Sequence, residues 1–215
     1  ISHVFKKAKE ANIGDVLVAT EDTEIIEDVK NNGGDAILTS KSHKTGTDRI
    51  YEALQKSNEP NIELIMNLQG DEPLMDVEDI RNLHRQMIRT KSKIGTLASN
   101  ILKDNVLNRE NIVKVITKKS LETFEFPEAL NFSRKLKDGS RNTYHHLGIY
   151  CYQLETLKSF ISLEQSKNEI SNNLEQLRAL DNNININVAL AKSSPIGVDT
   201  EEDFVAIKKI MEYNS

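Results

Sequence analysis

Short apolar runs alternate with amphipathic segments along the chain, and this alternation limits the fold more than any other feature of the sequence. The run at 15–20 is too short for a helix and is apolar on both faces, which is typical of a strand buried in a parallel sheet. The next segment carries Ile25, Ile26 and Val29 at helical spacing and begins at Asp22, a residue type that caps helix starts. The pattern therefore predicts a strand followed by a helix.

The same alternation continues towards the C terminus. Strands are predicted at 15–20, 36–39, 62–68, 94–99, 112–117, 129–133, 146–152 and 184–191. Helices are predicted to begin at Asp22, Thr47, Asp76 and Thr200, and a further helix is predicted at 168–180. This succession predicts an α/β fold of three layers, with a mostly parallel sheet and helices on both of its faces. We expect residues 1–215 to form a single domain that binds ligands outside the carboxyl ends of its strands.

Charge and cysteine content exclude several classes of function. Lys and Arg number 28 against 33 Asp and Glu, so the net charge of -5 gives no broad positive field for nucleic acid or an anionic membrane. We therefore expect no binding to nucleic acid. No apolar stretch has the length of a membrane helix, so we also expect no membrane insertion. The single cysteine, Cys151, excludes an internal disulfide framework and suits a reducing compartment. Strand alternation places Cys151 on an apolar face, so we interpret it as a core residue rather than a nucleophile.

Two aspartates directly follow predicted strands. Asp71 lies in Gln-Gly-Asp-Glu-Pro after the third strand, and Asp199 lies in Gly-Val-Asp-Thr after the last one. Carboxylate oxygens are hard ligands that suit Mg²⁺, which proteins usually hold through one or two carboxylates together with substrate phosphates. The alternatives are a turn in which Asp71 bonds its own backbone and a helix cap formed by Asp199. If both aspartates reach one crevice, they would hold a metal ion against a triphosphate.

The segment 42–49, Ser-His-Lys-Thr-Gly-Thr-Asp-Arg, precedes a predicted helix with hydroxyl residues on both sides of a glycine. Exposed backbone N–H groups and the helix dipole favour an anion or a polar base edge at such a position. The glycine spacing and the ending of a Walker A loop are absent. A simple capped helix start is the alternative interpretation.

Further polar candidates lie on later elements. Arg134 follows a predicted strand, and its guanidinium could bind a carboxylate through two hydrogen bonds, or it could be a surface residue. His146 and Tyr150 share one side of their strand and could line a pocket, although a structural histidine is the common alternative. Glu175 could form an ion pair with Arg178 three residues later on a helix.

Taken together, six segments resemble the 3-deoxy-manno-octulosonate cytidylyltransferase (CMP-Kdo synthetase) family in order and spacing. The resemblance runs from Ile1 to about Met211. The segments are 43–49, 67–73, 113–115, 146–150, 174–178 and 197–200. Any one of them would be a weak signal, whereas the ordered set is specific.

The resemblance implies a Rossmann-like nucleotidyltransferase fold and a Mg²⁺-dependent transfer of CMP from CTP to the anomeric hydroxyl of 3-deoxy-manno-octulosonate (Kdo). Pyrophosphate would be released, and the product would serve lipopolysaccharide biosynthesis in a cytoplasmic homodimer. By the family pattern, Asp71 and Asp199 would hold Mg²⁺. The implied nucleotide contacts are Ser42, His43, Thr45, Gly46 and Thr47. The implied sugar contacts are Gln69, Arg134, His146, Tyr150, Glu175 and Gln176.

Three departures from the family pattern are visible. The resemblance begins in the helix after the family's first strand, so we expect that strand and its Pro-Gly-Lys-Pro-Leu phosphate loop to be absent from this chain. Lys44 replaces the usual glutamine, and the segment after Arg134 is shorter than the family's Arg-Ala-Thr-Ile-Pro-Trp pattern. These departures leave two alternatives: transfer to a related sugar acid such as 8-amino-Kdo, and a non-catalytic module that binds nucleotide sugars.

Overall fold

The computed structural model describes residues 1–59, 61–100, 110–135, 141–194, 197–198 and 200–213. Its helices are α1 (Ser2–Ala11), α2 (Thr23–Asn31), α3 (Gly46–Ser57), α4 (Val77–Thr90), α5 (Leu154–Ser162), α6 (Lys167–Asn172), α7 (Leu177–Asp181) and α8 (Glu201–Tyr213). Its strands are β1 (Leu17–Thr20), β2 (Asp35–Leu38), β3 (Leu64–Leu68), β4 (Ile94–Ser99), β5 (Lys114–Thr117), β6 (Ala129–Ser133), β7 (Thr143–Gln153) and β8 (Ile186–Leu190). Within these residues, no helix has both the length and the apolar character needed to cross a bilayer.

The main sheet has six strands in the order β6-β5-β7-β4-β8, and β3 also pairs with β7. β3, β4 and β5 are each antiparallel to β7, and β8 is parallel to β4, so four strands point the same way. β7 and β6 point the other way. The α/β prediction is confirmed, and the sheet is mixed because the long strand β7 lies among strands that share one direction.

β1 and β2 form a separate parallel pair beside this sheet. Helix α3 connects the two sheets. Arg49 of α3 donates a hydrogen bond of 2.7 Å to Thr39 after β2 and forms an ion pair with Glu21 after β1. The apolar side of α3, including Ile50 and Leu54, packs on the core of the main sheet. The start of α3 is thereby fixed beside the carboxyl ends of both sheets.

Helices cover both faces of the main sheet, as predicted for three layers. On one face, Leu83 and Met87 of α4 pack with Leu147 and Ile149 of β7. On the other face, Leu157 and Phe160 of α5, together with Tyr144 and Tyr152 of β7, belong to a second core cluster. Cys151 lies fully buried on the first face, where burial raises the pKa of its thiol to about 12. This confirms its interpretation as a core residue.

The helix starts predicted at Asp22, Asp76 and Thr200 are confirmed by their caps, whereas α3 begins at Gly46 after the cap Thr45 and not at Thr47. Asp22 accepts a hydrogen bond of 2.8 Å from the N–H of Glu24, and Asp76 accepts one of 2.7 Å from the N–H of Glu78. Thr200 and Asp203 each bond the backbone N–H of the other, at 3.0 and 3.2 Å, at the start of α8. A short polar side chain at the first turn satisfies N–H groups that the helix itself leaves unpaired, which makes this signal local and readable.

The predicted single helix at 168–180 is wrong. It is two short helices, α6 and α7, because Asn173 adopts the left-handed conformation with φ 51° and ends α6. Asparagine tolerates this conformation better than most residues. The break places Glu175 and Gln176 in the turn between the two helices. Helix α5 was not predicted, although the spacing of Leu157 and Phe160 is helical.

Candidate active site

The segment 69–72, directly after β3, is the meeting point of three other parts of the chain. Glycines make the close approach possible, because a methyl group on Gly46 would lie 3.3 Å from Nε2 of Gln69. A methyl group on Gly148 of β7 would lie 3.3 Å from Cγ of Gln69. Gly197 also lies beside this segment, at ordinary contact distance: a methyl group there would be 3.5 Å from Oε1 of Glu72. The start of α3, the middle of β7 and the segment after β8 therefore converge on the carboxyl end of β3, where open α/β sheets bind ligands.

A bulge gives β7 its shape at this point. Thr96 of β4 pairs with Tyr150, but the next residue, Leu97, pairs with Leu147, so β7 carries extra residues opposite β4. A bulge bends its strand and redirects the neighbouring side chains. Here the extra residues include Gly148, the one that lies against Gln69.

Asp71 is exposed in the turn after β3. Its main-chain carbonyl accepts a hydrogen bond of 2.9 Å from the N–H of Val198, so the segment that precedes Asp199 lies against it. Asp199 lies outside the described residues, and the pairing of the two carboxylates stays a prediction. The described residues contain no group of three or more His, Cys, Asp or Glu side chains that could hold a metal ion.

Asp79 of α4 anchors the path that leads from β8 towards Asp71. Its buried carboxylate accepts hydrogen bonds from the N–H of Lys192 at 2.8 Å, and from the N–H and hydroxyl of Ser193 at 3.2 and 2.9 Å. A carboxylate satisfied by several donors holds a loop firmly, because releasing the loop would leave a buried charge without partners. Lys192 and Ser193 are therefore held by α4, and Val198 is held by the main chain of Asp71.

Ser42 and His43, in the first half of the predicted nucleotide loop, are held by contacts with Ser40 and Glu52. The Glu52 carboxylate of α3 contacts Nε2 of His43, accepts the N–H of Ser40 at 2.8 Å and pairs with Lys56. Lys56, the Ser40 N–H and His43 lower the pKa of Glu52 to about 2, so this carboxylate is ionised at neutral pH. Ser42 is exposed, and its N–H donates to the Ser40 hydroxyl at 3.1 Å.

The second half of the same loop faces the predicted sugar residues. Thr45 caps α3 by accepting the N–H of Asp48 at 3.2 Å, and Gly46 lies against Gln69. Thr47 is 2% exposed, and its hydroxyl donates a hydrogen bond of 2.9 Å to Oε2 of Glu175. The structure thus joins two residues that the family pattern assigns to different substrates.

Glu175 and Tyr150 are close enough to interact electrostatically, and each has a buried polar atom. Desolvation raises the pKa of Glu175, and the hydrogen bond from Thr47, together with the nearby Thr45 hydroxyl, opposes that shift. Burial likewise raises the pKa of the Tyr150 hydroxyl well above its usual value, and Glu175 adds to the shift. Among the described residues, neither Oε1 of Glu175 nor the Tyr150 hydroxyl has a hydrogen-bond partner. Buried polar atoms are rarely left unpaired, so these two are candidates for ligand contacts. Gln176 follows in the same turn and is half-buried.

His146 is neutral and has a defined tautomer. Its Nε2 lies 3.0 Å from the Thr96 hydroxyl, which donates its own proton to the Ile149 carbonyl at 2.7 Å. The imidazole must therefore donate through Nε2, leaving Nδ1 unprotonated. Burial lowers the pKa of His146 to about 3, with a smaller contribution from His145. The ring lies 5.4 Å from the Tyr150 ring between centroids, so the structure brings these two predicted residues together.

Arg134 lies away from this group. Its guanidinium donates to the main-chain carbonyls of Glu110 and Asn111 at 3.3 and 3.1 Å. Strand β5 separates β6, which precedes Arg134, from β7. Neighbouring strands are about 5 Å apart, so the backbones of Arg134 and His146 are separated by roughly 10 Å. The segment 136–140, within the shortened region that follows Arg134, lies outside the described residues.

A family model described as cytidylyltransferase matches residues 1–186. The chain belongs to the cytidylyltransferase family. It is 40% identical to the 3-deoxy-manno-octulosonate cytidylyltransferase of Thermodesulfovibrio yellowstonii over 98% of this chain and 87% of that protein. The enzyme of the same name from Bartonella tribocorum is 39% identical over the same shares of the two chains.

A solved structure of CMP:2-keto-3-deoxy-manno-octonic acid synthetase complexed with CTP superimposes with a TM-score of 0.87 at 30% identity. It aligns with 100% of this chain, which covers 88% of that one. Membership of the cytidylyltransferase family confirms the predicted enzyme class, nucleotidyltransferase, and does not favour a non-catalytic binding module.

Sequence reasoning about this cytidylyltransferase missed two residues that hold its site. Thr96 fixes the tautomer of His146, and a threonine in a buried strand gives no sequence signal for that role. Lys114 is 1% exposed and donates a hydrogen bond of 2.8 Å to the main-chain carbonyl of Arg134. Its pKa is lowered by burial and by Arg134. A lysine between two valines in a predicted strand was a visible signal, because lysine is rarely buried without a specific partner.

Proposed function

We propose that this protein transfers CMP from CTP to Kdo, giving CMP-Kdo and pyrophosphate, for lipopolysaccharide biosynthesis. The observation that carries the proposal is the convergence of residues 69–72, the start of α3 and Glu175 at one edge of the sheet. Family membership and the relatives named for this reaction support the same activity. The proposal extends to a single-domain subunit and to a cytoplasmic homodimer, as the family resemblance implies.

We further propose Mg²⁺ as the metal, held by Asp71 and Asp199 together with substrate phosphates. The donor set fits a hard cation, because an exposed carboxylate follows β3 and the segment before Asp199 lies against its main chain. When bound, such an ion would screen the negative charge of the triphosphate.

In this reaction the anomeric hydroxyl oxygen of the sugar forms a bond to the α-phosphorus. The bond from the α-phosphorus to the oxygen that bridges to the β-phosphate breaks, and pyrophosphate leaves with that electron pair. The proton of the attacking hydroxyl is lost to a hydrogen-bonded acceptor. The protein forms no covalent bond, so its contribution is to align the hydroxyl in line with the leaving group.

The sugar side of the site fits recognition of hydroxyl groups. Oε1 of Glu175 can accept, the Tyr150 hydroxyl can donate, and Nδ1 of neutral His146 can accept. Because His146 carries no charge at neutral pH, it cannot offset the carboxylate of Kdo. For Arg134, the cationic member of the proposed sugar set, to take that role, its guanidinium would have to leave the main-chain carbonyls of Glu110 and Asn111.

The test is an assay of the full-length protein with CTP, Mg²⁺ and one sugar at a time, in which pyrophosphate release and the nucleotide-sugar product are both measured. We expect turnover with Kdo to exceed turnover with 8-amino-Kdo and with N-acetylneuraminate. Preferred use of 8-amino-Kdo would replace the sugar assignment. Binding of CTP by calorimetry without release of pyrophosphate with any sugar would reject the proposed activity.

A further inference from the structure

A buried ion pair lies next to Glu175, one of the proposed sugar residues. The side chains of Glu169 on α6 and Arg178 on α7 are both 4% exposed. Arg178 donates from Nε to Oε2 of Glu169 at 2.8 Å and from Nη2 to Oε1 at 2.5 Å. The guanidinium also lies over the Phe160 ring, 4.7 Å from its centroid. Two parallel hydrogen bonds and a flat apolar support fix both the position and the plane of the guanidinium.

Glu169 is itself fixed by the start of its helix. Its Oε2 accepts the N–H of Ser166 at 3.1 Å, and the Ser166 hydroxyl accepts the N–H of Glu169 at 3.1 Å, which is a capping box. Gln165 donates to Oε1 of Glu169 at 3.1 Å. The carboxylate that holds Arg178 therefore cannot rotate without breaking the cap of α6.

The same guanidinium faces Glu175. Nη2 of Arg178 lies 3.9 Å from Oε1 of Glu175, too far for a hydrogen bond but close enough for electrostatic attraction. Oε1 is the buried oxygen that has no hydrogen bond among the described residues. The other groups around this carboxylate are Thr47 and Asp48 from α3, Thr45 at the cap of α3, and Tyr150 and Tyr152 from β7. Arg178 is the cation in this set.

We propose that Glu169 holds Arg178 at a distance from Glu175 at which the guanidinium attracts the carboxylate while leaving Oε1 open to a sugar hydroxyl. Glu169 and Arg178 are then positioning residues that act through Glu175. Without Arg178, Glu175 would lose the cation that offsets its desolvation. Without Glu169, the guanidinium would take Glu175 as its partner and occupy Oε1. This inference rests on the proposed function for the identity of the sugar.

The two single substitutions should have opposite effects on pH dependence. In Arg178→Gln, loss of the cation raises the pKa of Glu175, so the fall in kcat/KM for the sugar on acidification begins at a higher pH. In Glu169→Gln, Arg178 pairs with Glu175 and lowers its pKa, so the fall begins at a lower pH. Both variants should raise the KM for the sugar about tenfold, the lower end of losses seen when a supporting contact is removed. The KM for CTP should stay within about twofold of the wild-type value, because the assigned function of Oε1 concerns the sugar alone.

Lys158→Gln is the matched control. Lys158 pairs with Glu155 at 2.7 Å on the surface of α5, so the substitution removes one positive charge from an ion pair outside the pocket. It should leave both KM values and the pH profile unchanged. If the Arg178 and Glu169 variants shift the profile in the same direction, or no more than this control does, the proposal is wrong.

A direct titration separates this inference from the proposed activity. The Glu175 carboxyl can be followed by NMR in protein labelled with ¹³C-glutamate, with Glu175→Gln as the assignment control. Its pKa should rise in Arg178→Gln and fall in Glu169→Gln whether or not Kdo is the substrate. Unchanged pKa values would overturn the inference even if CMP-Kdo is formed.

Should either single variant fail to fold in thermal unfolding, the double variant Glu169→Leu with Arg178→Met replaces it. Replacing both members of a buried ion pair with apolar residues is often neutral for stability. Loss of the nearby cation should still raise the pKa of Glu175 and the KM for the sugar. A double variant with a wild-type profile and a wild-type sugar KM would contradict the proposal.

Discussion

The two halves of the candidate site treat the same chemical group in opposite ways. In the nucleotide half, formed by residues 42–46 and Glu52, the Glu52 carboxylate is stabilised by Lys56 and the Ser40 N–H, and its pKa falls to about 2. In the sugar half, formed by His146, Tyr150, Glu175 and Arg178, desolvation raises the pKa of Glu175. Contacts at the surface stabilise the ionised form of Glu52, whereas burial makes the ionised form of Glu175 unfavourable.

The difference indicates how each half recognises its substrate. A nucleoside triphosphate carries several negative charges. The residues that bind it can therefore remain hydrated and rely on backbone N–H donors and metal ions. A sugar presents uncharged hydroxyl groups, and water competes with the protein for hydrogen bonds to them. Buried acceptors and donors therefore discriminate better between one sugar and another. The burial of Glu175, Tyr150 and His146 is therefore expected to serve the sugar half alone.

The largest effect is expected at the boundary between the halves. Asp71→Ala and Asp199→Ala should each abolish Mg²⁺-dependent pyrophosphate release, with a loss of about 10³-fold or more in kcat, because metal screening supplies several kcal/mol of the acceleration. Asp76→Ala, which removes the cap of α4, is the control for general damage after β3. Near-normal turnover in Asp71→Ala or Asp199→Ala would refute the metal assignment for that residue.

Glu175→Gln tests the sugar half by itself. The amide keeps an acceptor for Thr47 but loses the charge, so kcat/KM for the sugar should fall roughly 10- to 100-fold, as for loss of a hydrogen bond to a charged group. The raised pKa of Glu175 means that its ionised form destabilises the fold above that pKa. The variant should therefore unfold at the same temperature as the wild type or higher at pH 7, as measured by circular dichroism. A lower unfolding temperature together with normal sugar kinetics would show a purely structural residue.

Variants of Thr47 test whether this residue acts in the nucleotide half or in the sugar half. Thr47→Val keeps the shape of the side chain but removes the donor to Glu175, whereas Thr47→Ser keeps the donor. Leaving the carboxylate without this partner should raise the sugar KM about tenfold in the valine variant, with little change in the serine variant. If the valine variant raises the CTP KM instead, Thr47 acts in the nucleotide half, as the family pattern implies.

The smallest effect is expected from Glu52→Gln at the surface. Exposed ion pairs contribute little, so the CTP KM should rise only about two- to fivefold while the sugar KM is unchanged. Because the folded-state pKa of Glu52 is lowered from 4.5 to about 2, its contribution to stability is present above pH 4.5 and lost as the pH falls towards 2.

The difference in unfolding temperature between wild type and Glu52→Gln should therefore shrink over that interval. Glu155→Gln removes the acidic partner of the Lys158 pair and serves as the matched control. A larger effect of Glu52→Gln on the sugar KM than on the CTP KM would contradict the division into halves.

Local patterns in the sequence determined most of the fold. The caps at Asp22, Asp76 and Thr200, the short apolar strands and the apolar stripe of α4 each depend on residues a few positions apart. The break between α6 and α7 was missed because its signal, Asn173, lies inside a regular apolar pattern that favours one continuous helix. The segment after β3 was also predicted to belong to the site by a local rule, because it is a polar run at the end of a strand.

Tertiary structure alone decided which of these residues meet. Thr47 and Glu175 are 128 positions apart in the sequence, and they form a hydrogen bond because the segments that carry them pack on the same sheet. The same holds for Thr96 with His146, and for the displacement of Arg134 by an intervening strand. The sequence by itself determined which residue types were available and which elements carry them, because helix and strand patterns are local. Their protonation, pairing and distances depend on burial and strand order, which exist only once distant parts of the chain have packed together.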